Sequence, residues 1–212
     1  MSTTPISTQT LRRLPIYLGH LRDWTHAHVS ATAIAAALNL SEIQVRKDLA
    51  SISSGGKPGV GYETRRLIRD IEHYLGYDSV VQAVLVGAGN LGKALLGYEG
   101  FSKCGLEIIA AFDLDPAVYG KTICDKIVYP MAALGEICRA EGVRLGIITV
   151  PDHAAQEACN LLVRSGVRAV WNYAPTHLVV PEGVVLQNEN LVASLTVLSR
   201  RLTERMSETN RK

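Results

Sequence analysis

The residues best suited to chemistry lie in a glycine-rich turn within residues 80–96, which read VVQAVLVGAGNLGKALL. An apolar run leads into the turn and helix-forming residues follow it, which predicts a buried strand, a tight turn and a helix start. The turn consists of Gly87, Ala88, Gly89, Asn90, Leu91 and Gly92. This order is typical of a dinucleotide site, because glycine permits the tight turn and lets backbone N–H groups approach the pyrophosphate.

A carboxylate, Asp113, ends a second apolar segment, EIIAAFD, about twenty residues further on. At the end of a neighbouring strand it can accept hydrogen bonds from an adenosine ribose, and it disfavours a 2′-phosphate. Turn and acid together predict NAD as the cofactor. The alternative is a glycine turn in an α/β protein that binds no ligand.

A second set of candidate residues, suited to nucleic acid, lies near the N-terminus. Residues 30–38 and 41–52 predict two short helices joined by a tight turn, and the second helix carries Gln44, Arg46 and Lys47. This is the helix-turn-helix pattern. The glycine-rich residues 53–62, which include Lys57, fit a two-stranded wing after that helix. The alternative is a plain three-helix bundle with a solvated charged face.

Composition favours an ordinary globular protein of 212 residues with a net charge of +2. The charge is uneven, because residues 1–60 carry six basic and three acidic side chains, which is a mild indication of nucleic-acid binding. No membrane span or signal peptide is evident, so we expect a cytoplasmic protein. The four cysteines lack ligand spacing and are expected to be small core residues rather than metal ligands, with a thiol redox switch as the alternative.

Patterning of the first 78 residues predicts helices that position the nucleic-acid residues. A helix over residues 8–26 should be kinked at Pro15, and Ser30 should cap the next one. Ser41 and Gln44 form a capping box for the third, whose expected core residues are Ile43, Leu49 and Ile52. A further amphipathic helix over residues 63–75 should end at Gly76 and link this module to the next.

The remainder of the chain alternates strands and helices, as expected of a Rossmann-type parallel sheet over residues 79–188. Residues 189–212 are expected to form a separate C-terminal helix and tail. Its apolar stripe consists of Leu191, Leu195, Leu198 and Leu202. The stripe packs either on its own domain or on a partner subunit.

Seven motifs resemble the Rex family of bacterial redox-sensing transcriptional repressors. In order they are QVRKDL (44–49), KPGVGY (57–62), VGAGNLGKALLGYEGF (86–101), AAFDLDP (110–116), TVPDHAAQ (149–156), NYAP (172–175) and VPEGVVLQNEN (180–190). The resemblance implies an N-terminal winged-helix domain that binds operator DNA, a Rossmann domain and a C-terminal helix swapped between the subunits of a homodimer. It further implies that NADH binding releases DNA, whereas NAD⁺ favours the DNA-bound form.

Carried over by motif, the resemblance assigns roles to individual residues. Arg46 and Lys47 fall on the recognition helix, and Gly59, Val60, Gly61 and Tyr62 fall on the wing. Tyr98 matches a tyrosine near the nicotinamide. Four residues match segments that border the nicotinamide pocket, namely Thr149, Pro151, Asn172 and Ala174.

The chain departs from the family pattern at Gly19, Asn190, Leu191, Ser51–Ile52 and Pro58. The first two replace an arginine and an aspartate that report the redox state of the cofactor in some members. One alternative is therefore a Rex-like paralogue with altered ligand sensing. Another is a Rossmann protein that binds coenzyme A or NAD and does not regulate DNA. A dehydrogenase would need an acid or base such as His153, but no substrate domain is evident, so we expect no enzyme.

Overall fold

The computed structural model describes residues 6–209, and the chain divides into two compact units, Met1–Ser79 and Val80–Lys212. The predicted N-terminal region begins at residue 1 and the predicted C-terminal region ends at residue 212, so residues 1–5 and 210–212 of these regions lie outside the described residues. Each unit has a hydrophobic core of its own.

The N-terminal unit contains four helices and a small two-stranded antiparallel sheet. These elements are α1 (Thr8–Arg22), β1 (His28–Val29), α2 (Ala31–Leu38), α3 (Glu42–Ile52), β2 (Tyr62–Glu63) and α4 (Thr64–Leu75). The Oγ of Ser30 accepts the N–H of Ala33 at 3.0 Å, which confirms the predicted cap of α2. α1 continues through Pro15 and ends at Arg22, earlier than expected.

Two sequence predictions for α3 are wrong. The Ser41 side chain caps no backbone N–H, and the Gln44 side chain donates to Asp48 rather than reaching back to the helix start, so there is no capping box. Ile43 is 82% exposed rather than buried, and the core contacts of α3 come from Val45, from Leu49 as expected, and from Ile52, which is partly buried against the same cluster.

The C-terminal unit contains a seven-stranded sheet. Its strands are β3 (Val81–Val86), β4 (Leu106–Asp113), β5 (Thr122–Ile123), β6 (Lys126–Pro130), β7 (Leu145–Ile148), β8 (Ala169–Asn172) and β9 (Val185–Asn188). They lie in the order β5-β6-β4-β3-β7-β8-β9, and every pairing is parallel except that of β5 with β6. From β6 to β9 this is the Rossmann order, in which the crevice for a ligand opens between β3 and β7.

Four helices complete this unit: α5 (Asn90–Leu96), α6 (Leu134–Ala140), α7 (Asp152–Arg164) and α8 (Leu191–Thr209). The side chains of β3 alternate between two cores, since Val84 and Val86 belong to one cluster and Ala83 and Leu85 to another. Burial on both faces explains why the strand reads as a continuous apolar run.

α8 presents its apolar side chains to solvent. The exposed set is Leu191, Val192, Leu195, Val197, Leu198, Leu202 and Met206. Within the described residues, no helix is both long enough and apolar enough to cross a bilayer.

Candidate functional site

The glycine turn joins β3 to α5 with a geometry that requires glycine at two positions. Gly87 has a φ of +104°, and a Cβ on it would lie 2.9 Å from the carbonyl carbon of Thr149. A Cβ on Gly92 would lie 2.0 Å from the carbonyl oxygen of Gly87, so α5 packs directly on the turn. A Cβ on Gly89 would meet no atom within 4 Å, which leaves open space beside the turn.

Asp113 ends β4 beside this turn. Its Oδ2 accepts the N–H of Ala88 at 2.6 Å, and its Oδ1 accepts the N–H of Asp115 at 2.9 Å. The carboxylate is thus fixed by backbone on both sides. An ionised carboxylate has about four acceptor positions, so it can still accept hydrogen bonds from a ligand.

A cavity of about 320 Å³ connects the turn with the end of β7. Five of the predicted cofactor residues line it: Gly87, Gly89, Asp113, Thr149 and Pro151. The hydroxyl of Thr149 donates to the carbonyl oxygen of Gly87 at 2.7 Å, which ties the two sides of the crevice together. Apolar side chains, among them Leu114 and Met131, cover another wall. A volume in this range is typical of a small-molecule site.

Three predicted cofactor residues lie elsewhere. Asn172 is fully buried, and its amide bonds the protein itself, donating to the backbone oxygens of Ala174 and Thr176 and to Asn188 Oδ1. Ala174 is also buried. Tyr98 lines a different cavity, of about 590 Å³, which Val80, the residue before β3, also lines. Tyr98 is distant from the glycine turn because α5 lies between them, and its two turns carry the chain about 10 Å along the helix axis.

Two residues at the end of β8, Trp171 and Asn172, instead bond the segment that precedes α8. Asn188 ends β9 and receives the amide of Asn172 at 2.9 Å, while Glu189 receives the indole N–H of Trp171 at 3.0 Å. Burial, together with the nearby Glu189 carboxylate, raises the pKa of Tyr173 to about 12. The Oδ1 of Asn190 accepts the N–H of Ala193 in the first turn of α8.

The outer face of α3 carries the predicted DNA-contacting cations. Lys47 is exposed, and Arg46 is exposed and pairs with Glu42 one turn earlier. Gln44 is only partly exposed, because its amide donates to Asp48 at 2.8 Å.

A buried carboxylate, Asp48, fastens α3 to α1, which the sequence reading did not identify. It is 2% exposed, and it accepts hydrogen bonds from Thr10, Arg13, Tyr17 and Gln44. Burial alone would raise the pKa of Asp48, but these four donors outweigh it and hold the pKa below its ordinary value. Burial and the hydrogen bond to Asp48 raise the pKa of Tyr17 to about 12. Spacing along α3 could not reveal donors on another helix.

The wing is a tight loop closed by two hydrogen bonds of 2.9 Å between the backbones of Lys57 and Gly61. Gly61 has a φ of +87°, and a Cβ there would lie 2.4 Å from the carbonyl oxygen of Val29. Tyr62, predicted to contact DNA, is only 8% exposed and belongs to the core. Arg46, Lys57, Gly59, Gly61 and Tyr62 line one cleft of about 580 Å³, whereas Gln44 and Lys47 lie outside it.

The cysteines divide into two pairs. Cys138 and Cys159 are buried as expected, and burial raises the pKa of both thiols. Cys104 and Cys124 are exposed, so the prediction that all four lie in the core is wrong. No group of three or more histidine, cysteine, aspartate or glutamate side chains in residues 6–209 is arranged to hold a metal ion.

Comparison with known proteins identifies relatives of both units. A family model described as a CoA binding domain matches residues 78–176, and one described as a putative DNA-binding protein N-terminus matches residues 5–50. Curated proteins named redox-sensing transcriptional repressor Rex match along most of the chain. The protein from Treponema denticola is 42% identical over 89% of this chain and 91% of its own, and that from Bacteroides fragilis is 38% identical over 94% and 92%.

Solved structures give the same result. RSP, in complex with β-NAD⁺ and operator DNA, is 31% identical, with a TM-score of 0.91 over 98% of this chain and 97% of its own. RSP in complex with β-NADH gives a TM-score of 0.87 at 30% identity, over 99% of this chain and 100% of its own. A third structure describes RSP as a Rex-family repressor. With two units that match such a protein end to end, the chain belongs to the Rex family of redox-sensing transcriptional repressors.

Proposed function

We propose that this chain binds operator DNA as a homodimer and leaves it when NADH enters the Rossmann domain. The main observation behind this proposal is that two kinds of site occur in one chain. The first unit is a winged helix-turn-helix with exposed cations, and the second has a glycine turn beside an acidic side chain, Asp113. The match to RSP, whose structure holds both β-NAD⁺ and operator DNA, supports this reading along nearly the whole chain. As a member of this family the chain is a regulator rather than an enzyme. A cytoplasmic location accords with such a role.

The residues at the crevice fit NAD(H). In this proposal the pyrophosphate lies against Gly87, Ala88, Gly89, Asn90, Leu91 and Gly92, where the helix start offers backbone N–H groups and Gly89 leaves room. Asp113 accepts hydrogen bonds from the adenosine ribose, and Thr149 and Pro151 border the cofactor on the far side of the crevice. Asn172 and Ala174 act indirectly by shaping the loop after β8.

The cations and the wing supply the DNA contacts. Arg46 and Lys47 face the major groove, and Lys57, Gly59 and Gly61 bring the wing backbone to the neighbouring phosphates. Gln44 and Tyr62 hold α3 and the wing in place. The exposed apolar stripe of α8 is assigned to a second copy of the chain, because such a stripe is unfavourable in water.

A second candidate ligand is coenzyme A, favoured by the family model that matches residues 78–176. Asp113 does not separate the two ligands, since coenzyme A carries its extra phosphate on the 3′ position and leaves the 2′-hydroxyl free. A direct comparison is therefore part of the test.

The test uses fluorescence anisotropy of a labelled duplex selected by the full-length protein from a random-sequence library, at low salt. We expect NADH to release the duplex at lower concentrations than NAD⁺ or coenzyme A do. Lys47→Ala should weaken binding to all sequences and lower the salt slope by about one per subunit, because one phosphate contact is lost. Lys121→Ala, an exposed lysine of the other unit, is the matched control. Failure to select any duplex would refute DNA binding. Release of the duplex by coenzyme A but not by NADH would show that coenzyme A, rather than NAD(H), is the ligand.

A further inference from the structure

Ile43 is a large apolar side chain that is exposed to solvent instead of buried. It is 82% exposed, more than any other large apolar side chain in the described part of the chain. Single exposed apolar residues are common on protein surfaces, so exposure alone carries no role. What distinguishes Ile43 is its position as the second residue of α3.

The helical geometry directs Ile43 away from the protein. Successive residues of an α-helix are about 100° apart, and the buried face of α3 is formed by Val45, Asp48 and Leu49. Ile43 therefore projects almost opposite the middle of that face. Arg46 and Lys47, three and four residues on, lie on the same outer face as Ile43.

The cations beside Ile43 indicate that its binding partner is DNA. Two cations on the same face suit a polyanion, and the first turns of a recognition helix lie against base edges rather than against the backbone. The thymine C5-methyl group is the apolar feature that base pairs present in the major groove. The network at Asp48 holds α3 against α1, which keeps Ile43 on the outer face of the helix.

We propose that Ile43 reads a thymine in each operator half-site by packing against its C5-methyl group. The inference rests on the proposed binding of operator DNA and adds a base preference to it. Ile43 is stiff at χ1, because it is β-branched, so little side-chain freedom is lost on contact.

The experiment removes the proposed contact first from the DNA and then from the protein. Each thymine position of the selected duplex is replaced in turn by uracil, which lacks the C5-methyl group and keeps base pairing. The wild-type protein should lose affinity about fourfold per half-site at one position, the value for burial of one carbon group. Ile43→Ala should bind the thymine and uracil duplexes equally. Ile16→Ala, an exposed isoleucine on α1, should retain the wild-type preference.

The outcomes separate this inference from the function on which it rests. Wild-type protein that binds the duplex, with Lys47→Ala weakened and the thymine preference unchanged in Ile43→Ala, would overturn the role of Ile43 alone. A selected half-site without thymine, or no loss with uracil at any position, would overturn it as well. Circular dichroism melts of both isoleucine variants check that the fold is retained, as exposure of both side chains leads us to expect.

Discussion

Replacement of Asp48 by asparagine tests whether the buried carboxylate holds the DNA-binding unit together. Asparagine keeps the shape of the side chain but removes its charge and places an NH₂ donor where Asp48 accepts. Arg13, which donates to both carboxylate oxygens at 2.7 and 3.0 Å, then has no charged partner. Tyr17 and Thr10 donate to the same group and lose an acceptor of full charge.

The expected loss is large for a unit of this size. Removing one member of a buried ion pair costs about 3–5 kcal/mol, because the remaining charge is left without compensation. Whole domains are stable by only about 5–15 kcal/mol. An exposed pair gives the contrast, since Arg22 and Glu72 lie 2.8 Å apart at the surface, where a pair contributes about 0–1 kcal/mol.

The sign of the pH dependence follows from the two shifted groups. The pKa of Asp48 is lowered in the fold, so its contribution is present above its ordinary pKa, about 4, and is lost as the pH falls through the folded value. The pKa of Tyr17 is raised to about 12, so its contribution is present below about pH 10 and is lost as the pH rises through 12. The stability difference between wild type and Asp48→Asn should therefore shrink in acid.

Urea unfolding followed by tryptophan fluorescence measures this loss in one unit. The chain has two tryptophans, Trp24 in the first unit and Trp171 in the second, so a Trp171→Phe background reports the DNA-binding unit alone. Glu72→Gln is the matched control. A loss from Asp48→Asn no greater than that from Glu72→Gln, or a difference that persists unchanged below pH 4, would refute this account of the network.

Three further predictions concern the second unit. Asp113 should make NADH bind about ten- to a hundredfold more tightly than NADPH in calorimetric titration, because a 2′-phosphate would meet its charge, and equal affinities would contradict this. Gly92→Ala should abolish NADH binding or lower the melting temperature strongly, since its Cβ would lie 2.0 Å from the Gly87 oxygen, whereas Gly89→Ala should keep the fold. Truncation after Asn188 should give a monomer or insoluble protein by light scattering, and a well-behaved dimer would exclude α8 as the dimer contact.

Several features set by near neighbours in the chain were predictable from the sequence, although the capping box expected at Ser41 and Gln44 was not formed. Ser30 caps α2, and Gly76 ends α4 with a φ of +74°, as the residue types indicate. The strand, turn and helix around residues 80–96 were predictable for the same reason, because an apolar run and the spacing of glycines are local features of the sequence. The alternation of strands and helices after residue 79 likewise predicted a Rossmann-type parallel sheet, which the structure has, whereas the order of the strands was not predicted.

Features set by distant partners were not predictable in this way. Gln44 has the type and position of a base-reading residue, yet Asp48 holds its amide, and Asp48 is itself fixed by donors more than thirty residues away. Tyr62 looks like a wing contact, yet its ring packs against Gly56 and the core. In both cases the sequence pattern placed the residue on the correct element. It could not show whether the side chain faces the solvent or partners within the protein.

Asp113 and Asn172 show what decides between a ligand contact and a structural one. Both are polar residues at the carboxyl end of a parallel strand, where the fold binds ligands, and residue type assigned both to the cofactor. Asn172 is fully buried, and its amide N–H groups and oxygen all bond the protein. Asp113 bonds one backbone N–H with each oxygen, is partly exposed at the cavity, and retains about two acceptor positions. The unfilled hydrogen-bonding capacity at an accessible surface therefore distinguishes the residue that can meet a ribose from the one that shapes the loop beside it.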